Sequence, residues 1–221
     1  MLTSDRLRDL AVKYLSGGVS PAEHWAQSQA KLKFARRELI DAAAAKCEWC
    51  ESKPRPTSYL QLDHYLPKTR FPRAMYEWSN LVVSCQVCNT NKGPYWDPRV
   101  RLVSPLRGEP SRHIDFISSS IVSLTDRGDR SISRLDLGRR ELDTERAKSC
   151  QLVGAALGVL KSGALTSDLR QTLEEFVGSA LSDSAPHAGC VRARFKVDGP
   201  KRASLTYDEC VDRAVACLLE G

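Results

Sequence analysis

Aromatic residues are scarce in this 221-residue chain: they make up 7% of it, against 42% apolar residues overall. Its core must therefore rest on Leu, Val and Ala. Long apolar runs are also missing, and no stretch approaches the ~20 residues that a membrane-spanning helix needs. The opening residues, Met1-Leu2-Thr3-Ser4-Asp5-Arg6, lack the charged-then-apolar design of a signal peptide. The expected location is the cytoplasm, with no membrane contact. There is no internal repeat and no low-complexity tract, which leaves one globular domain or two small ones. Nor is the charge extreme: a formal +6 and a pI near 8.9 fit a polyanionic partner without requiring one.

What the chain does have is cysteine, eight residues of it. In a small secreted protein these would suggest a disulfide framework, but in a reducing compartment close pairs suggest metal ligands. Four of them form two Cys-x-x-Cys pairs, Cys47-Glu48-Trp49-Cys50 and Cys85-Gln86-Val87-Cys88, with 34 residues between. Each pair can grip one ion from a tight turn, and together they complete a closed tetrahedral zinc site whose role is structural. Cys150, Cys190, Cys210 and Cys217 have no ligand spacing and are expected to behave as small apolar residues.

The pairs bracket a change in pattern. Residues 1–46 form an N-terminal helical segment, with Leu7, Leu10, Ala11, Tyr14 and Leu15 at helical spacing up to Gly17-Gly18. Ser20-Pro21-Ala22-Glu23 then opens a second helix, expected to run through Leu32, Ala35 and Leu39 to Ala42–Ala45. Residues 47–93 form a core in which Tyr59–Leu62 and Leu81–Val83 are expected as strands. Residues 94–138 are expected to be an irregular extension with short strands, including Ile121–Leu124 before a turn at Asp126-Arg127-Gly128-Asp129. Residues 139–221 form a C-terminal helical region. There Leu152, Ala155, Ala156, Val159 and Leu160 share one face and Leu169, Leu173, Phe176 and Val177 another. A loop is expected over Asp183–Gly189 and a last helix over Tyr207–Leu219.

Inside the bracket, Asp63-His64 stands at the end of the first strand, before Pro67. Neighbours on a strand point to opposite faces, so the two can serve one site only where the backbone turns. Asn80 follows, and then Cys88-Asn89-Thr90-Asn91-Lys92. The order Asp-His, Asn, Cys-x-x-Cys-Asn-x-x-Lys resembles the HNH endonucleases of the ββα-metal fold, in the subgroup with an added four-cysteine zinc site. Leu102-Val103-Ser104-Pro105, Arg112-His113-Ile114-Asp115-Phe116, Ser133–Leu137, Glu141-Leu142 and Arg146 extend the match. With them the chain resembles the HNH proteins of retron and Septu-type anti-phage systems, which work beside an ATPase.

That resemblance implies an α+β fold: a ββα-metal core stapled by zinc and flanked by N- and C-terminal helical segments. It also implies an endonuclease that hydrolyses phosphodiesters with one divalent ion, acting with an ATPase partner or within a larger defence complex. His64 would be the general base, since an imidazole titrates near neutral pH. Asp63 would give a hard oxygen to Mg²⁺ or Mn²⁺. Most of the family has a ligating His where Asn89 stands here, and an amide oxygen favours a hard ion. Asn89 and Asn91 differ by about 200° around a helix, so only one of them can face the metal. Asn80 would fix the loop that carries the base, and Lys92 would contact the scissile phosphate. Lys68, Arg70 and Arg73 are the expected nucleic-acid contacts, of a kind that carries affinity without sequence information. DNA is expected ahead of RNA as substrate, although both present the same phosphodiester. The competing reading is a zinc-stapled nucleic-acid-binding module without catalysis. Asp63-His64 argues against it, because a pure binder has no use for the pair. Of the other histidines, His24 is expected on an exposed helix face, His113 in a structural role and His187 in a loop.

Overall fold

The helical pattern of residues 1–46 folds as three helices, α1 (Thr3–Leu15), α2 (Pro21–Gln27) and α3 (Lys33–Ala42). They belong to a computed structural model that describes residues 3–54, 58–106, 110–162 and 165–196. Ser20 caps α2 as its sequence suggests, its Oγ accepting from the Glu23 amide at 3.2 Å. The single long second helix expected from the sequence is interrupted. Gln29 Nε2 donates to the Trp25 carbonyl at 3.1 Å, and the Ser28 side chain turns inward to Tyr76. Both contacts draw the chain out of the helical path after Gln27, and the turn they make buries Leu32. At the far end, Ala44 and Ala45 take positive φ values of 51° and 55° and stop α3 short of Cys47. Left-handed backbone costs an alanine about 1–2 kcal/mol, a strain set against the contacts that seat Cys47.

The centre of the molecule is a hairpin with a helix across it. Strands β1 (Leu60–His64) and β2 (Leu81–Cys85) pair antiparallel, with Leu62 opposite Val83 and His64 opposite Leu81. Helix α4 (Gln86–Lys92) starts as β2 ends. This is the expected ββα arrangement within an α+β fold. Leu60, Leu62, Leu81, Val82 and Val83 share one hydrophobic cluster with Leu7, Leu10, Leu32, Ala35 and Leu39 of the N-terminal helices and with Leu135 and Leu142.

The stretch after α4 is more regular than its sequence suggests. A second hairpin, β3 (Ile114–Ile117) with β4 (Ser120–Ser123), leads into helix α5 (Asp126–Leu135). The expected turn at Asp126–Asp129 is instead the first turn of α5, capped by Thr125 Oγ1 accepting from the Gly128 amide at 3.2 Å. Gly128 is required there for close approach, because a Cβ would collide with the His113 carbonyl.

Helices α6 (Arg140–Lys161), α7 (Ser167–Leu181) and α8 (Ala188–Arg194) build a second cluster around Val153, Ala156, Leu157, Leu160, Val177 and Val191. Its faces are rotated from those expected: Leu152, Val159, Leu169 and Phe176 are exposed. Both helices carry more apolar residues than one face can bury, and packing selects among them. The expected helix over Tyr207–Leu219, with Cys210 and Cys217, lies outside the described residues. No described helix is long and apolar enough to cross a membrane.

Candidate active site and metal centre

The two Cys-x-x-Cys turns meet. The four sulfur atoms lie within 4.8 Å of one another, and Cys47, Cys50 and Cys88 are buried. Cys50 and Cys85 Sγ are 4.0 Å apart. A tetrahedral ion with Zn–S bonds of about 2.3 Å would hold its sulfurs roughly 3.8 Å apart, so the donor set fits zinc. The first turn is docked on β2 by Glu48, whose amide donates to the Val83 carbonyl at 2.8 Å while its Oε2 accepts from the Val83 amide at 2.6 Å. The second turn opens α4, with the Cys88 amide donating to Cys85 Sγ at 3.5 Å. Hydrogen bonds among the thiols hold Cys50 below the ordinary thiol pKa and Cys85 down to about 7, and push Cys47 and Cys88 up. Thiolate character is thus concentrated on Cys50 and Cys85, with Cys47 and Cys88 as their donors. Arg139 places both Nη atoms 3.9 Å from Cys88 Sγ, a cationic partner that spacing alone gave no means of finding.

Strand alternation divides the neighbouring pair. Asp63 and Gln61 face α4: Lys92 Nζ donates to Asp63 Oδ1 at 3.4 Å, and Asn89 Nδ2 to Gln61 Oε1 at 2.6 Å. Asn91 instead faces α5, donating to the Leu135 carbonyl at 3.4 Å, so Asn89 is the asparagine on the Asp63 side. Gln61 could have been found from the sequence, because it lies two residues from Asp63 on one strand. Asp63 Oδ1 also accepts from the His64 amide at 2.7 Å, whereas Oδ2 is buried with no hydrogen bond of ordinary length; the Trp49 indole N–H, likewise without one, is the donor that faces this carboxyl. Burial pushes the Asp63 carboxyl up from its ordinary range, and Lys92 pulls it back. Lys92 was expected at a phosphate or in solvent. It is 1% exposed and lies against the carboxylate, and burial lowers its pKa. Its backbone carbonyl is held by Arg134 Nη2 at 3.0 Å.

His64 lies on the other side of β1 and is 3% exposed; both residues are still paired in the strand, so the backbone turn expected to bring them to one site is not found at the pair. Its Nε2 is 3.1 Å from the Met75 carbonyl. A carbonyl only accepts, so Nε2 carries the proton and Nδ1 keeps its lone pair. Burial foremost, then the nearby Lys68 charge, pushes its pKa down to about 3, and the ring stays neutral. Trp25 of α2 meets it edge-on, with ring centroids 4.4 Å apart. This contact across 39 residues of sequence had no signal in spacing.

Asn80 is fully engaged. Its Oδ1 accepts from the Leu66 amide at 2.7 Å, and its Nδ2 donates to the carbonyls of Leu66 at 3.2 Å and Ala74 at 2.9 Å. One side chain thus pins both ends of the loop that leaves His64 and returns through Met75. Lys68 is half-buried, while Arg70 and Arg73 are exposed on that loop.

Of the remaining histidines, His24 differs from expectation, and His187 lies in the expected loop but is buried. His24 is half-buried, its Nδ1 2.8 Å from Tyr76 Oη. His187 is buried and precedes α8 with a φ of 56°. His113 bonds Thr125 Oγ1 at 2.8 Å, a structural contact. Cys150 and Cys190, read as unrelated, lie 3.8 Å apart between α6 and α8.

Comparison with known proteins agrees with this geometry. Residues 47–94 match the family model described as HNH endonuclease. The chain is 28% identical to "Septu protein PtuB" of Bacillus mycoides (strain KBAB4), over 62% of this chain and 61% of that protein. It is 27% identical to "Septu protein PtuB" of Bacillus thuringiensis, over 48% of this chain and 42% of that protein. The matches thus span about two to three fifths of those relatives' length. No solved structure matches the chain at a significant level. The segment 47–94, with its thiol cluster and its Asp63-His64 strand end, is similar to the HNH endonuclease family and is carried in a chain that resembles the Septu proteins.

Proposed function

We propose that this chain is an endonuclease that hydrolyses nucleic-acid phosphodiesters with one divalent ion, as the effector of an anti-phage system that includes an ATPase partner. The observation that carries this reading is the Asp63 carboxylate. Its Oδ2 is buried with no hydrogen bond of ordinary length, and Asn89 lies on the same face of β1 through its bond to Gln61, so the two supply hard oxygen donors of the kind suited to Mg²⁺ or Mn²⁺. In the amide orientation found, Asn89 spends its N–H on Gln61, which leaves its oxygen for the ion. A divalent ion held there supplies Lewis-acid stabilisation of the charge at phosphorus and on the leaving oxygen.

The protein's own groups do the rest. His64 donates its Nε2–H to the Met75 carbonyl, and in the active form its Nδ1 turns to the Asp63 side and takes a proton from water there. Burial holds its pKa at about 3, which leaves the lone pair free but weakly basic, so exposure of the ring on substrate binding is part of this reading. Asn80 holds the base-bearing loop in register. Lys92 sustains the charge of Asp63. Lys68, Arg70 and Arg73 draw the nucleic-acid backbone onto the loop. The four cysteines hold zinc and take no part in the chemistry.

The burial of His64 beneath Trp25 favours one other reading, a nucleic-acid-binding module without catalysis. Plasmid and RNA cleavage in Mg²⁺, with and without the ATPase partner, separates the two. His64→Ala is expected to lower cleavage by about 10²–10⁴-fold, the usual worth of a general base, with zinc content unchanged. Cleavage by that variant at the wild-type rate would defeat the catalytic assignment.

A further inference from the structure

A second cluster of chemistry-bearing side chains lies beside the base-bearing loop. The rings of Phe71 and Trp96 meet at 4.8 Å, tilted by 75°. The Arg101 guanidinium lies over the Trp96 ring at 5.1 Å from its centroid. Arg70 Nη1 reaches the Trp96 carbonyl at 3.5 Å. Arg70 and Arg101 are exposed, and Phe71 and Trp96 are half-buried, so the Arg101 side chain lies over Trp96 on the solvent-exposed surface.

The cluster is built and fixed in place. Asp97 Oδ1 accepts from the amides of Arg99 at 2.8 Å and Val100 at 3.4 Å, tightening the turn between Trp96 and Arg101. That arrangement also turns the one carboxylate of the turn toward backbone N–H groups. Arg127 Nη2 and Tyr65 Oη both donate to the Leu102 carbonyl, at 2.9 and 2.8 Å. Tyr65 directly follows His64, so the residue after Arg101 is bonded to the residue after the base.

The geometry points to a stacking site for an unpaired nucleobase, on the Trp96–Arg101 pair, with Arg70 placed for the adjoining phosphate. This rests on the nuclease reading for its context and goes beyond it by naming the substrate class, single-stranded DNA or RNA. A guanidinium already lying on an aromatic face presents a flat cationic surface to a base. Bases within a duplex are stacked on one another and cannot offer that face, whereas a free strand can.

The test uses the full chain carrying His64→Ala, so that binding is read without cleavage. Fluorescence anisotropy follows a labelled oligothymidine, an oligouridine and a duplex of equal length. The parent is expected to hold at least one of the single strands more tightly than the duplex. Trp96→Leu and Arg101→Lys should each weaken that strand by about tenfold or more, while changing duplex binding by less than about threefold. Arg101→Lys keeps the charge and loses the planar fork, which separates stacking from simple attraction. Trp96→Phe should retain most of the binding and guards against a folding defect, with zinc content as the check. Loss for thymidine or uridine strands tells DNA from RNA. Equal loss on strand and duplex, or no loss on any strand, would overturn the proposal. Failure of the wild-type protein to cleave would defeat the nuclease reading and leave this binding result standing.

Discussion

At the scale of single residues, the deciding quantity is burial. His64 and His187 both sit inside the protein with their pKa values lowered by desolvation, and both are neutral in the folded state. His187 is 4% exposed and its Nδ1 has no hydrogen-bond partner. An unfolded histidine protonates near pH 6.5, so below that pH the unfolded chain binds protons that the folded chain refuses. The folded pKa is depressed, and the stability it supports is therefore complete above about pH 6.5 and lost as pH falls from there toward the folded value. One such group costs up to about 1.4 kcal/mol per pH unit within that window. His187→Asn removes the proton site while tolerating the left-handed φ of 56°. Urea midpoints measured from neutral to acid pH should fall less steeply in that variant than in the wild type. Equal slopes would show that His187 is not a source of the acid sensitivity.

Residue identity alone set some of these roles and missed others. Asp63 and His64 were legible as a pair because they sit next to each other before a proline. Their separation onto two sides of β1 also follows from alternation. That Lys92 would be buried against Asp63 was not legible, because a lysine four residues beyond Cys88 carries no mark of its partner.

At the scale of elements, the thiol cluster joins pieces that are far apart in sequence. Cys47 and Cys50 follow α3, Cys85 and Cys88 open α4, and Arg139 reaches in from the start of α6. Four thiolates on one zinc ion carry a net charge of about −2, and a guanidinium beside them offsets part of it. Arg139 is anchored for this by Nη1 donating to the Asp136 carbonyl at 2.8 Å. Arg139→Gln should weaken zinc retention by roughly tenfold to a hundredfold, with Arg139→Lys falling between. Competition with a chromogenic chelator reads this directly, and zinc release at the wild-type rate in both variants would count against it. The elements themselves were partly legible. The two strands of the core and the cap of α2 follow from local pattern. The break after Gln27 and the helix beginning at Asp126 do not, because each depends on a partner elsewhere: Tyr76 for Ser28, and the His113 carbonyl for Gly128.

At the scale of the whole molecule, the described residues form two hydrophobic clusters, and the four thiols that fit zinc belong to one of them. The first contains Cys47, Cys50 and Cys88 together with α1, α3, β1 and β2. The second is formed by α6, α7 and α8. A few polar contacts link them: Lys46 Nζ to the Ala185 carbonyl at 3.0 Å, the Gly189 amide to Glu51 Oε2 at 3.0 Å, and the His187 amide to the Glu51 carbonyl at 3.2 Å. A structural zinc ion contributes on the order of 10 kcal/mol, as much as the whole stability of many domains. Chelation should therefore open the first cluster well before the second. Hydrogen exchange with a chelator present is expected to deprotect amides of α3, β1, β2 and α4, and to leave those around Val153–Leu160 and Val177–Leu181 slow. Uniform deprotection would mean that the two clusters fold as one cooperative unit.

The sequence by itself determined the chelating turns, the strand that ends at Asp63-His64 and the order of residues that marks an HNH domain. Each of these rests on spacing of a few residues, and the geometry of turns and strands converts such spacing directly into position. The tertiary structure alone decided that Asn89 and not Asn91 stands on the Asp63 side, that Trp25 covers His64, that Arg139 meets the thiols and that Cys150 meets Cys190. Those contacts join residues from separate elements. Which face of α4, α6 or β1 meets which neighbour is fixed by the packing of a shared core, and no local pattern records it.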